Sequence, residues 1–128
     1  MRKTIWALGL GALLLAVALV STASAGNSSI TLNPQRTAAS ALGIGSQVTF
    51  SISQNRTAHP WVSVACYQSR VLVYKQYHGM FAGYYTDAVF TLGPTPSWTG
   101  GGANCTGTLL YFANGREHSL ATTSFSVP

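Results

Sequence analysis

From residue 29 to residue 127, apolar and polar positions alternate in short runs, and no run keeps a helical period. Val48-Thr49-Phe50-Ser51-Ile52-Ser53 alternates strictly. Val48, Phe50 and Ile52 therefore share one face and predict a strand packed on a core. Trp61-Val62-Ser63-Val64-Ala65-Cys66-Tyr67 alternates too. It sets Val62, Val64 and Cys66 on one face, and Trp61, Ser63, Ala65 and Tyr67 on the other. Gln68-Ser69-Arg70 is a tight connection, and residues 71–77 read as the second arm of a hairpin. Its faces, Val71/Val73/Lys75/Tyr77 and Leu72/Tyr74/Gln76, are both partly apolar, which suits a strand near a sheet edge. Shorter strands are expected at 29–32 and 88–92, and longer ones at 105–112 and 120–127. Asn114-Gly115 between the last two is the strongest hairpin signal in the chain. In the last strand Ala121, Thr123, Phe125 and Val127 form the expected inner face.

The intervening stretches are turn-like. Residues 37–42 hold a small Ala cluster, too short for a stable helix and followed by Gly43 and Gly45. Residues 54–59 form a polar turn closed by Pro60. Residues 78–87 form a loop rich in large side chains, among them Met80, Phe81, Tyr84 and Tyr85. Residues 93–102 are dominated by Gly, Pro, Ser and Thr around Trp98, with no capacity for a regular element. About seven short strands with regularly spaced turns predict an all-β fold, a two-sheet antiparallel sandwich.

The first 25 residues have a different character. Arg2 and Lys3 precede an uncharged apolar run from residue 5 to residue 20, and Ala23-Ser24-Ala25 offers a small-residue cleavage site. The expected organisation is a signal peptide at 1–25 and one domain at 26–128, with Gly26 as the mature N-terminus. A retained signal anchor is the rival reading. The run is just short of a comfortable span, and cleavage is preferred. The mature protein is then expected to be secreted, extracellular and free of the membrane.

Export changes how the cysteines are read. Cys66 and Cys105 are the only two in the chain, so a disulfide between them is expected. Closing a loop of about 40 residues is worth roughly 4 kcal/mol in the chain-entropy model. Charge changes the picture less. Without Arg2 and Lys3, five basic residues (Arg36, Arg56, Arg70, Lys75 and Arg116) face two acids, Asp87 and Glu117, so the formal charge falls from +5 to +3. The basic residues are dispersed, which argues against nucleic acid as a partner. Three Asn-x-Ser/Thr sequons, at Asn27, Asn55 and Asn104, read as chance in a Ser/Thr-rich chain.

Catalysis requires an acid, base or nucleophile in a shaped site. Asp87, Glu117, His59, His78 and His118 are the available groups. His78 and Asp87 flank one loop, whereas Glu117 and His118 are adjacent and would point to opposite faces of a strand. No hydrolase, metalloprotease or phosphate-loop motif is present, and the histidines lack metal-ligand spacing. No catalytic residue, metal or cofactor is expected. The aromatics carry more weight, because Tyr and Trp combine contact area with a polar tip. Phe81, Tyr84, Tyr85 and Trp98 are the candidate binding residues; for Phe81 and Trp98 the rival role is to plug the ends of the sandwich.

Gly45-Ser46-Gln47-Val48-Thr49-Phe50, the Cys66 strand, Phe90-Thr91-Leu92-Gly93-Pro94-Thr95-Pro96-Ser97-Trp98 and the Cys105 strand together resemble small secreted bacterial immunoglobulin-like domains, of actinobacterial or phage-encoded type. The resemblance spans the mature chain and is one of pattern. It implies that the Val48 strand occupies the B position and the Cys66 strand the C position. The disulfide would then join neighbouring strands C and F within one sheet, where antibody domains bridge B to F across sheets. Ala103 stands where the tyrosine corner of antibody domains has Tyr. The expected function is a non-enzymatic binding domain whose partner is a protein or glycan at a cell surface. A structural accessory module of a cell surface or phage-related assembly is the alternative, and a small secreted hydrolase or inhibitor is a more distant one.

Overall fold

The computed structural model describes residues 22–24, 26–34, 42–83 and 88–128. Eight strands occur among them: β1 (Thr22–Ser24), β2 (Ser29–Pro34), β3 (Gln47–Ser53), β4 (Trp61–Gln68), β5 (Val71–Gly79), β6 (Phe90–Thr91), β7 (Ala103–Ala113) and β8 (Arg116–Val127). They form two antiparallel sheets, one of order β1-β8-β7-β4-β5 and one of order β2-β3-β6. The fold is thus the two-sheet sandwich expected from the alternation, and β2 to β8 correspond to the seven strands read from the sequence. β1 is additional. It falls inside the expected leader, of which residues 1–21 and 25 lie outside the described residues.

The core follows from the alternation. Ile30, Val48, Phe50 and Phe90 of the small sheet meet Val62, Val64, Cys66, Tyr74, Cys105, Leu109, Ala121 and Val127 of the large one. Phe50 is central. Its ring meets Phe90 edge-on at 5.6 Å and lies 6.2 Å from Phe125. Cys66 and Cys105 pair directly across β4 and β7 and are bonded to each other, with Cα atoms 4.0 Å apart. The bridge therefore runs within the large sheet, between neighbouring strands, and both half-cystines are buried in the core.

In two places alternation is broken by a bulge. Between β4 and β5 the register slips, so that Cys66 faces Tyr74 and Tyr67 faces Leu72. Val73 is the extra residue, which buries Val73 and Tyr74 side by side. Between β7 and β8 Leu109 faces Ala121 and Leu110 faces Ser119, leaving Leu120 as the extra residue. The strand expected at 88–92 shrinks to two residues, bracketed by the positive φ of Ala88, 50°, on one side and of Gly93, 71°, on the other.

Both hairpin turns are two-residue turns with positive φ at each position: Ser69 and Arg70 at 50° and 70°, Asn114 and Gly115 at 55° and 73°. This is the mirror-image turn whose twist matches that of the strands. Asn-Gly meets the requirement directly. Ser-Arg meets it with two residues that ordinarily avoid that conformation, which is why it gave no comparable hairpin signal.

Candidate interaction face

The two faces of the large sheet differ in kind. The inner face is the core. On the outer face, cross-strand pairing sets Trp61 beside Leu110, Ser63 beside Thr108, Ala65 beside Thr106 and Tyr67 beside Asn104. β5 adds Tyr77 next to Ser63, and β8 adds Thr122, Ser124 and Glu117. The middle of this face is therefore a strip of small and hydroxyl side chains.

One end of the face is aromatic. The Trp61 ring meets Phe112 at 5.7 Å and Phe81 at 5.8 Å, both edge-on. Tyr77 lies 6.1 Å from Phe112, and His59 packs edge-on to Phe81 at 4.8 Å. Leu110 lies fully buried on this side of the sheet, apart from the main core, so the rings roof a small apolar cluster of their own. Phe112 nonetheless remains 48% exposed.

Charge is confined to the rim of the cluster. The Tyr77 hydroxyl donates to Glu117 Oε2, and the Lys75 ammonium lies 5.4 Å from the centre of the Tyr77 ring. The hydrogen bond to Glu117 raises the Tyr77 pKa above the usual phenol value, with partial burial adding to it. These contacts link β5 to the β7–β8 hairpin across the end of β4.

The opposite end of the same sheet is more polar. Tyr67, 40% exposed, walls a shallow open depression of about 570 Å³ with Asn104, Thr106, Ser124 and Ser126. Val71 and Leu72, beside the Ser69-Arg70 turn, are exposed as well.

The residues expected to bind are divided by the fold. Phe81 joins the aromatic cluster. Trp98 does not reach the surface: it is fully buried, its ring 6.2 Å from Tyr74 and its indole N–H donating to Gly101 O at 2.9 Å. The 93–102 segment is folded down around it. Trp98 and Thr95 pair with each other, the Thr95 hydroxyl donates to Val73 O at 2.7 Å, and the Gln68 amide donates to both Gly100 O and Gly102 O. Gly93, at φ of 71°, leaves room for the indole, since a Cβ there would stand 3.0 Å from Trp98 Cε3. Trp98 is thus the plug of that end of the sandwich. Tyr84 and Tyr85 lie outside the described residues, as does Asp87.

Trp61, Tyr77 and Phe112 were not singled out from sequence. A signal was there: Trp61 falls on the face of its strand opposite the core, and Phe112 precedes the Asn-Gly turn. What sequence alone lacked was the strand order that sets them side by side.

Among the described residues the three histidines lie apart from one another, on β5, on β8 and in the turn before β4. His78 packs edge-on to Phe90 at 4.5 Å, and His118 stacks on Tyr111 at 4.9 Å with Nε2 3.3 Å from Ala113 O. Glu117 and His118 point to opposite faces of β8, paired with Phe112 and Tyr111. Among the described residues no group of three His, Cys, Asp or Glu side chains is placed to hold a metal ion. No protein-family model matches the chain, and neither a curated protein nor a solved structure is significantly similar to it.

Proposed function

We propose that the chain is an exported, non-enzymatic immunoglobulin-like binding domain, and that it grips its partner, a protein or glycan at a cell surface, with the aromatic end of the outer sheet face. The observation that carries this reading is the Trp61–Phe81–Tyr77–Phe112 cluster. It is held rigid by mutual ring contacts and Leu110 beneath, yet leaves Phe112 about half exposed. Aromatic side chains immobilised in advance lose little entropy on contact, so they suit both protein surfaces and sugar faces.

The test is capture from host-surface extracts by the purified protein and by its Phe112→Ala variant. Removing a hot-spot ring costs about 2 kcal/mol or more, so the captured partner should be largely lost. Equal capture by Phe112→Ala and by Trp61→Ala, with both variants folded, would remove this face from consideration. A second reading, an accessory module of an assembly, is favoured by one separate observation: the long edge of β8, uncharged from residue 119 to residue 127.

A further inference from the structure

β8 runs for twelve residues, and among the described residues its outer edge is paired at three of them, by β1, through Thr22 with Thr123, Ala23 with Thr122 and Ser24 with Ala121. From residue 119 to residue 127 the strand has no charged residue and no proline. Sheet edges are ordinarily guarded by one or the other, because an open row of backbone donors and acceptors recruits further strands.

The orientation of that row follows from the disulfide pair. Cα atoms 4.0 Å apart mark Cys66 and Cys105 as a non-hydrogen-bonded pair. Cys105 therefore turns its N–H and C=O towards β8, and Phe125, its neighbour there, turns its own towards β7. By alternation Thr123 also points to β7, while Thr122, Ser124 and Ser126 present theirs on the outer edge.

We propose that this edge is a dimerisation edge. A second copy of the chain adds its β8 antiparallel to the first about a two-fold axis at Thr123, and β1 closes the edge until residues 1–25 are removed. The uncharged stretch is centred on Thr123, so the two copies overlap along it without opposing like charges. Ala121 faces Phe125 of the second copy on the inner side, a small residue against a large one. Thr123 faces its own counterpart, and Thr122 faces Ser124 on the outer side. A two-fold interface must be self-complementary in this way. Such pairing keeps each inner face continuous with the other, so both cores stay covered. β1 already shows that the edge accepts an antiparallel strand at the same positions.

The proposal rests on the export reading only for the trigger. Chains with defined N-termini test the edge itself, and the mass of the secreted protein tests the cleavage separately. Every residue of the core cluster lies between Ile30 and Val127, so a chain beginning at Gly26 keeps the whole core. Analytical ultracentrifugation of that chain should show a dimer. A chain beginning at Ser21, which retains β1, should associate at least about tenfold more weakly. Ser124→Pro in the Gly26 chain deletes an outward N–H at an edge position that tolerates proline, and should give a folded monomer. Should that variant fail to fold, Thr123→Cys decides. It sits at a non-hydrogen-bonded pair across the axis and should oxidise to a covalent dimer. A Gly26 chain that is monomeric throughout the accessible concentration range, or a dimer that Thr123→Cys does not cross-link, overturns the proposal.

Discussion

Phe50 lies directly against the bare backbone of Gly107: a Cβ on that glycine would stand 2.7 Å from Phe50 Cε2 and 3.0 Å from Cζ. Gly107 is flanked in the sheet by Val64 and Thr123, and Phe50 is fixed by Phe90 and Phe125, so the ring has nowhere to retreat. Gly107→Ala should therefore destabilise the fold by about 1–3 kcal/mol, the usual cost of overpacking. Alanine ordinarily favours a strand relative to glycine, so a neutral or stabilising result in urea denaturation would contradict the placement of Phe50.

The Cys66–Cys105 bridge spans a sequence separation of 39 residues and lies in the core. Its loss through paired Cys→Ala substitutions should lower stability by about 2–5 kcal/mol. Thiol labelling of the native protein offers the complementary check. Both sites should be unreactive before reduction, and labelling at either would disprove the bond.

Tyr74 gives the protein an alkaline limit. Burial pushes its pKa from 10.0 up to about 12. Below pH 10 the phenol is protonated in both states, and its contribution is complete. Above pH 10 the unfolded chain ionises first, so stability falls until the pH passes the folded value. Tyr77, held above its ordinary value by Glu117, acts in the same direction. Urea midpoints measured from pH 9 to pH 12 should fall steeply for the parent and less steeply for Tyr74→Phe. Parallel curves would show that Tyr74 does not titrate in this way.

The strands were legible because their inner faces are written as alternation, as in Val48-Phe50-Ile52 and Val62-Val64-Cys66. The Asn114-Gly115 turn was legible because its backbone conformation has few suitable residues. The bulges at Val73 and Leu120 were not: an apolar residue beside an apolar residue carries no mark of which one is extra. Trp98 shows a similar limit. A Trp among glycines and prolines reads equally as an exposed contact or a plug. What settles it is the Gln68 amide and the Thr95 hydroxyl folding its loop inward, and those contacts span 22 to 34 residues. The aromatic cluster needed more still, since Trp61, Tyr77 and Phe112 come from three strands and meet only through the order β7-β4-β5.

The two tight turns also lead us to expect an order of events in folding. β4–β5 and β7–β8 are local hairpins, each able to close within microseconds, whereas β4 and β7 are distant in sequence and must find one another afterwards. Cys66 belongs to the first hairpin and Cys105 to the second. Docking of the hairpins sets the two sulfurs side by side in the native register, and the bond then makes that docking permanent. In acid-quenched oxidative refolding, still-reduced molecules should already protect the hairpin amides. Reduced molecules without hairpin protection, alongside oxidised native ones, would reverse that order.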